Sequence, residues 1–141
     1  MEQRASIITL GVSDLKKSRS FYESLGWRVA TEEQTENIVA FNLQSFVLAL
    51  YPKQGLAEDA GVDMVASINP SFTLAHNVTS EAEVDQLINE ERGLGGTIVK
   101  EPQNVFWGGY SSYFSDPDGY LWEVAFSPYS KPEKDGSFKW S

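Results

Sequence analysis

Glu123 is the residue of this chain whose type and surroundings best suit chemistry. It lies in the stretch Phe114–Ala125, which is typical of a strand, a tight Asp-Pro-Asp-Gly turn and a second strand. Because side chains alternate across a strand, the second strand has two unlike faces. One face carries Leu121, Glu123 and Ala125, and the other carries the larger, more apolar Tyr120, Trp122, Val124 and Phe126. A carboxylate on the first face either meets water or lines a cavity, where it contacts a ligand or serves as a general base.

The residues facing Glu123 depend on the length of the turn before it. If Asp116–Gly119 is a four-residue hairpin turn, Ser112 lies across from Glu123 and Phe114 across from Leu121. Tyr110 joins the same face two residues earlier. We therefore expect Tyr110, Ser112 and Phe114 to contact a ligand together with Glu123.

The run Phe106–Tyr110 contains two adjacent glycines flanked by three aromatic rings. Such glycines allow a bulge or a close approach of the backbone. Aromatic rings with a few polar groups form small-molecule sites, and ring faces with a carboxylate suit a cation. The alternative is plain core packing at a kinked strand, and the residues leave both interpretations open. In the first, Trp107 is a ligand contact.

Composition excludes several other classes of function. The chain has 141 residues, 20 of them acidic and 11 basic, for a net charge of −9, and no basic patch that would favour nucleic acid. It has no cysteine, no apolar run long enough to span a bilayer and no secretory signal, so we expect no membrane association and a cytoplasmic location. If Thr73 faces a cavity, the one histidine, His76, points to the helix side of the same strand as a packed residue, and without cysteine we expect no Ser–His or Cys–His pair.

The elements that must position these residues form a repeated plan. Asp14 predicts a helix N-cap and Gly26 a helix end, while Ser80 and Glu83 form a capping box before a second helix that ends at Gly93. Each helix follows one predicted strand and precedes three, so the fold class is α+β with two βαβββ modules. The predicted second strand of the first module is 27–31. We predict one domain, 1–141, made of modules 5–51 and 71–126, a linker loop 52–70 and a C-terminal tail 127–141.

These modules resemble a known family. The residues Val12-Ser13-Asp14-Leu15, Ser18, Phe21-Tyr22 and Leu25-Gly26-Trp27 resemble the first module of the vicinal oxygen chelate superfamily. Phe114, Asp116-Pro117-Asp118-Gly119-Tyr120 and Glu123 resemble the end of its second module. That superfamily includes glyoxalase I, bleomycin-resistance proteins and extradiol dioxygenases. The resemblance implies a curved sheet with a concave cavity and a homodimer.

The family's metalloenzymes bind a divalent metal with two His and two Glu. The resemblance assigns these four positions to Ile7, Ala49, Thr73 and Glu123, of which only Glu123 carries the family's ligand type. One carboxylate and one hydroxyl make a poor transition-metal site, so we expect no metal and no other cofactor. A divalent metal held through Glu123 is the alternative.

Two function classes follow from the resemblance. The first is a protein that binds or sequesters a small organic molecule in a metal-free aromatic cavity, with Glu123, Trp107, Tyr110, Ser112, Phe114 and Thr73 as contacts. The second is a lyase, isomerase or dioxygenase that uses Glu123 with a non-standard metal site or none. Phe138 and Trp140 are unusual for a solvated tail, and the sequence leaves open whether they dock on this subunit or on a partner.

Overall fold

The chain is described by a computed structural model that covers residues 1, 3, 5–32, 37–61 and 72–140. It divides into two compact units, Met1–Ser67 and Ile68–Ser141. Within the described residues the fold is α+β, with seven strands and three helices. The predicted fold class is thus confirmed, while the single domain of 1–141 stays a prediction. No helix in this part of the chain is both long and apolar enough to cross a membrane.

The first unit is a three-stranded sheet with a helix on one side. Its elements are β1 (Ile7–Val12), α1 (Leu15–Ser24), β2 (Val39–Asn42), β3 (Val47–Pro52) and α2 (Lys53–Ala60). The strand order is β1-β3-β2, with β1 parallel and β2 antiparallel to β3. Asp14 caps α1 as predicted, since its carboxylate accepts a hydrogen bond of 2.9 Å from the backbone N–H of Lys17.

The core of the first unit lies between the sheet and α1. Tyr22 is fully buried, and its ring stacks on Trp27 with centroids 5.4 Å apart. On the sheet side the buried residues are Leu10, Val12, Val39, Phe41, Leu48 and Leu50. Ile7 has the opposite parity in β1 and is 59% exposed.

Two predictions for the first unit are wrong. The expected strand 27–31 is only a single bridge between Val29 and Phe41, and the Trp27 ring before it packs on Tyr22. The expected loop 52–70 begins instead with the helix α2. Pro52 precedes this helix, and Gly61, at φ 68°, ends it. Both are typical helix-boundary residues, but the apolar period between them is too weak to predict a helix. Residues 62–70 lie outside the described part of the chain.

The second unit is a four-stranded sheet that positions Glu123. Its elements are β4 (Thr73–Val78), α3 (Glu81–Glu91), β5 (Thr97–Asn104), β6 (Tyr110–Ser115) and β7 (Leu121–Phe126). The strand order is β4-β7-β6-β5, with β4 parallel to β7 and the other pairs antiparallel. Ser80 caps α3, because its hydroxyl accepts a hydrogen bond from the N–H of Glu83. Residue 71, the predicted start of β4, is outside the described residues.

The two sides of the second sheet differ in cover. One side packs against α3 and forms the core, which consists of Leu74, Val78, Val84, Ile88, Phe114, Trp122 and Val124. The other side carries the residues of opposite parity, and none of the described residues of this unit forms a helix over it. The open side is therefore the place where this unit offers a surface to a ligand.

Candidate ligand-binding cleft

Glu123 lies on the open side of the second sheet, as the alternation of β7 predicted. It pairs with Ala75 on β4 and with Tyr113 on β6, and Tyr113 in turn pairs with Lys100 on β5. Residues paired across adjacent strands project to the same side. Lys100, Tyr113, Glu123 and Ala75 therefore form one row across the four strands, with a cation and a carboxylate on either side of a phenol.

The predicted neighbours of Glu123 are wrong by one residue. In the hairpin, the N–H of Asp116 donates to the carbonyl of Tyr120 and the N–H of Gly119 donates to the carbonyl of Asp116. The loop between the paired residues is thus three residues long, with Gly119 in the left-handed region at φ 86°. The buried Asp116 carboxylate fixes the turn by accepting bonds of 2.9 Å from the N–H groups of Asp118 and Tyr120.

A three-residue loop reverses which β6 side chains face the cleft. Ser112 pairs with Val124 and Phe114 with Trp122, so both lie on the α3 side. The Phe114 and Trp122 rings stack with centroids 6.4 Å apart. The Tyr110 hydroxyl donates to the Asp85 carboxylate of α3 at 2.8 Å. The placement of Tyr110, Ser112 and Phe114 beside Glu123 is therefore wrong. Tyr113 takes that place, as a three-residue loop ending at Gly119 requires.

The Phe106–Tyr110 run forms the tip of the β5–β6 hairpin and is not a kinked strand. The N–H of Val105 donates to the carbonyl of Gly109, and the N–H of Gly108 donates to the carbonyl of Val105. Gly108 has φ 91°, so this hairpin repeats the geometry of the Asp116 turn. The Trp107 ring lies directly on Gly109, where a Cβ would be 1.9 Å from the ring. The two glycines thus let an aromatic side chain lie flat against the backbone at the edge of the cleft.

A concave cleft of about 680 Å³ lies over this side of the sheet. Its floor is the sheet row at Glu123 and Tyr113, and Trp107 and Tyr129 contribute aromatic walls. Its full lining is Ala75, Asn77, Phe106, Trp107, Tyr113, Glu123, Ala125, Ser127, Tyr129, Ser130, Phe138 and Trp140. The aromatic interpretation of Trp107 is the one that this geometry favours, whereas the tail residues were not foreseen as part of the site.

The tail returns to its own unit. Phe138 and Trp140 both line the cleft, and Trp140 remains 92% exposed. Both rings therefore contribute to the cleft of their own unit, and docking of the tail on a partner subunit stays open as the second alternative. An exposed indole beside an aromatic cleft is able to cover a ligand face without breaking any core contact.

The phenol of Tyr113 is held in its protonated form. Burial raises its pKa, and the Glu123 carboxylate raises that pKa further by its charge and by hydrogen bonding. A protonated phenol donates one hydrogen bond and a carboxylate accepts. Because the single phenol proton is donated to Glu123, the pair offers a ligand acceptor oxygens at the floor of the cleft, which suit a hydrogen-donating group.

Thr73 and His76 lie away from this centre. Thr73 pairs with Leu121 on the open side but does not line the cleft. His76 pairs with Val124 on the α3 side, as predicted, yet its side chain is exposed on the edge strand and is not a packed core residue. Burial of part of its ring lowers the pKa of His76, and nearby Glu83 opposes that shift.

The side chains at the four positions that the resemblance assigns to metal ligands do not suit metal binding. Ile7 and Ala49 carry no donor atom, and Thr73 offers only a hydroxyl. Among the residues that the structure describes, no three His, Asp or Glu side chains lie close enough to share an ion. The expectation that the protein binds no metal stays a prediction.

Fold and site together define an α+β protein of two small sheet-and-helix units, one of which carries an open, aromatic sheet face. The chain belongs to the Glyoxalase/Bleomycin resistance protein/Dioxygenase superfamily, whose family model matches residues 4–124. This confirms the resemblance that the two motifs indicated.

Solved structures agree with this family. A glyoxalase-related enzyme from Fulvimarina pelagi is 36% identical, with 99% of each chain covered and a TM-score of 0.90. A hypothetical protein from S. aureus is 27% identical over 90% of this chain and 95% of its own, with a TM-score of 0.76. A glyoxalase/bleomycin resistance protein/dioxygenase from Nocardioides is 25% identical over 95% of this chain and 90% of its own, with a TM-score of 0.76.

Proposed function

We propose that this protein binds a small organic molecule in the aromatic cleft of its second unit, with Glu123 and Tyr113 as the polar contacts and without a metal. The observation that supports this most directly is the cleft itself, about 680 Å³ with aromatic walls and one carboxylate on its floor. Sites for small ligands are typically about 300–1,000 Å³, mostly apolar, with a few convergent polar groups. A homodimer and a cytoplasmic location stay predictions beside this one.

The residue types favour a ligand with an aromatic body and a positive or hydrogen-donating group. Trp107 and Tyr129 supply ring faces that attract a cation or stack on an aromatic ring. Glu123 accepts hydrogen bonds and carries a negative charge in a site that is partly closed off from water. The overall charge of −9 adds a weak attraction for cations.

Calorimetric titration with naphthylmethylamine, an aromatic ammonium, tests this proposal. We expect saturable binding to the wild type, about tenfold weaker binding to Trp107→Ala and weaker binding to Glu123→Gln. Phe72→Ala is the matched control, because Phe72 is 44% exposed against 37% for Trp107 and its ring contacts that of Tyr120 at a tilted angle, outside the cleft. Equal loss in Phe72→Ala and Trp107→Ala would show that the probe binds elsewhere.

The enzyme alternative keeps the same cleft and assigns Glu123 the role of base. Its specific support is the Tyr113–Glu123 pair, an acceptor and a protonated donor side by side. Elemental analysis of the purified protein distinguishes metal-free binding from an enzyme with a metal site. One equivalent of Ni, Zn, Mn or Fe that disappears in Glu123→Gln would contradict metal-free binding and favour a lyase or dioxygenase.

A further inference from the structure

Strand β5 contains two breaks in its pairing with β6. Ile98 pairs with Phe114 and Lys100 with Tyr113, so two steps on β5 match one step on β6. Lys100 and Gln103 then pair with Tyr113 and Ser111, so three steps match two. Each break inserts one extra residue into β5 and is a β-bulge.

The bulges decide which side chains reach the cleft. Without the first bulge, Lys100 would pair with Ser112 and lie on the α3 side together with Ile98. With both bulges, Lys100 and Gln103 share the side of Tyr113 and Glu123. The Ser112 hydroxyl donates to the carbonyl of Lys100 at 2.6 Å, which supports the bulged backbone from the α3 side. Bulges of this kind often aim a side chain beside a functional site.

A second cavity of about 370 Å³ lies over these side chains. It shares Phe106, Trp107, Tyr113 and Glu123 with the aromatic cleft and adds Lys100, Gln103, Asn104, Val105 and Ser111. The two cavities therefore meet at the Tyr113–Glu123 pair. One is aromatic and the other is polar, with a cation.

The ammonium of Lys100 has no ion-pair partner among the described residues. The nearest acid along β5 is Glu101, whose carboxylate bonds to the guanidinium of Arg92, the residue that follows α3. Glu123 is two strands away in the row, a backbone separation of about 10 Å. The Gln103 amide nitrogen donates to the carbonyl of Glu101 at 3.1 Å, which fixes this amide beside Lys100 while one of its two N–H groups remains for a ligand.

We propose that the ligand of this cleft is a zwitterion with three parts in a fixed order: an aromatic body, an amine and a carboxylate. The aromatic body lies between Trp107 and the tail rings, the ammonium bonds to Glu123, and the carboxylate lies in the polar cavity at Lys100 and Gln103. The inference rests on the proposed function, since it names the ligand class of the same site. The order follows from the row across the sheet, which runs from the aromatic cleft through Glu123 and Tyr113 to Lys100.

Three probes with the same aromatic body separate the parts of this proposal. The first is N-(naphthylmethyl)-β-alanine, which carries both charges. The second, N-propyl-naphthylmethylamine, lacks the carboxylate, and the third, naphthylpentanoate, lacks the amine. We expect the zwitterion to bind the wild type about five- to tenfold more tightly than either single-charge probe, as measured by calorimetric titration.

Two substitutions assign the charges. Lys100→Met should remove the advantage of the zwitterion over the amine probe and leave the affinity for the amine unchanged. Glu123→Gln should remove its advantage over the carboxylate probe. Lys131→Met is the matched control, because the Lys131 ammonium lies over the Phe126 ring, 5.7 Å from its centroid, and lines neither cavity.

The outcomes separate this inference from the proposed function. If zwitterion and amine bind the wild type equally, or Lys100→Met weakens both alike, the inference is overturned. The proposed function then still stands, provided that Trp107→Ala weakens every probe. If no probe binds the wild type, or Trp107→Ala changes nothing, the aromatic cleft is not the site and both proposals fail together.

Discussion

Replacing Gly109 by alanine should displace Trp107 from the wall of the cleft. A Cβ at Gly109 would lie 1.9 Å from Cζ3 and 2.0 Å from Cη2 of Trp107, and 2.7 Å from the carbonyl oxygen of Phe126. Carbon atoms in contact are normally about 3.5–4.0 Å apart, so the ring has to retreat by about 1.5–2 Å. The backbone of Gly109 itself does not forbid alanine, because its φ lies outside the left-handed region.

We expect Gly109→Ala to lower the free energy of unfolding by about 2 kcal/mol, within the range for overpacking of about 1–3 kcal/mol. Urea unfolding followed by far-UV circular dichroism measures this loss. The double mutant with Trp107→Ala divides the cost between its two causes. Once the ring is gone, only the clash with the Phe126 carbonyl remains, so the cost of Gly109→Ala should fall to about 1 kcal/mol.

One result of this double-mutant cycle would contradict the prediction. If Gly109→Ala costs the same in both backgrounds to within about 0.4 kcal/mol, the two sites are independent and the ring does not lie on this glycine. Binding gives a second measurement. Gly109→Ala should weaken naphthylmethylamine about as much as Trp107→Ala does, because both changes remove the same wall.

Three further predictions concern stability. Glu91 has an Oε2 that is buried without a hydrogen-bond partner, and burial, with a smaller contribution from Glu90, raises its pKa to about 7. The folded state therefore holds a proton that the unfolded state releases above its ordinary pKa of 4.5, so stability falls as pH rises from about 4.5 through 7. Glu91→Gln should be more stable than the wild type by about 1–2 kcal/mol at pH 8, after a discount for partial solvation, and no more stable at pH 4; a constant difference in urea midpoints across this range would contradict it. Asp116→Ala should cost about 1–3 kcal/mol in thermal unfolding because two turn N–H groups lose their acceptor, whereas Asp116→Asn, which keeps an acceptor oxygen, should cost clearly less. Ser80→Ala should cost about 1 kcal/mol through loss of the α3 cap, and Ser80→Asp should restore most of it in the same melts.

Local patterns predicted α1, α3 and the face of Glu123, because each of these depends on nearby residues alone. Asp14 and Ser80 each cap a helix through a bond to a backbone N–H three residues later. The alternation within β7 needs no knowledge of its partners, so Glu123 was placed on the open side correctly.

Pairing between strands was harder to predict, because a change of one residue in the length of the turn gives every residue of the strand a different partner. Asp-Pro-Asp-Gly fits a four-residue turn and a three-residue loop equally well by composition, and the left-handed Gly119 decides between them. No pattern in the sequence indicates the bulges of β5, so the position of Lys100 on the cleft side could not be predicted. The aromatic tail was recognised as unusual, but the position of Phe138 and Trp140 beside the cleft depends on tertiary packing.

The bulges of β5 also affect how this sheet meets other molecules. Among the described residues β5 is an outer strand of its sheet, and outer strands expose unpaired N–H and C=O groups that recruit further strands. Two bulges, the missing N–H of Pro102 and the charge of Lys100 make β5 a poor template for such strand addition. The distortion that aims Lys100 at the cleft thus also makes this edge of the sheet a poor site for the addition of another strand.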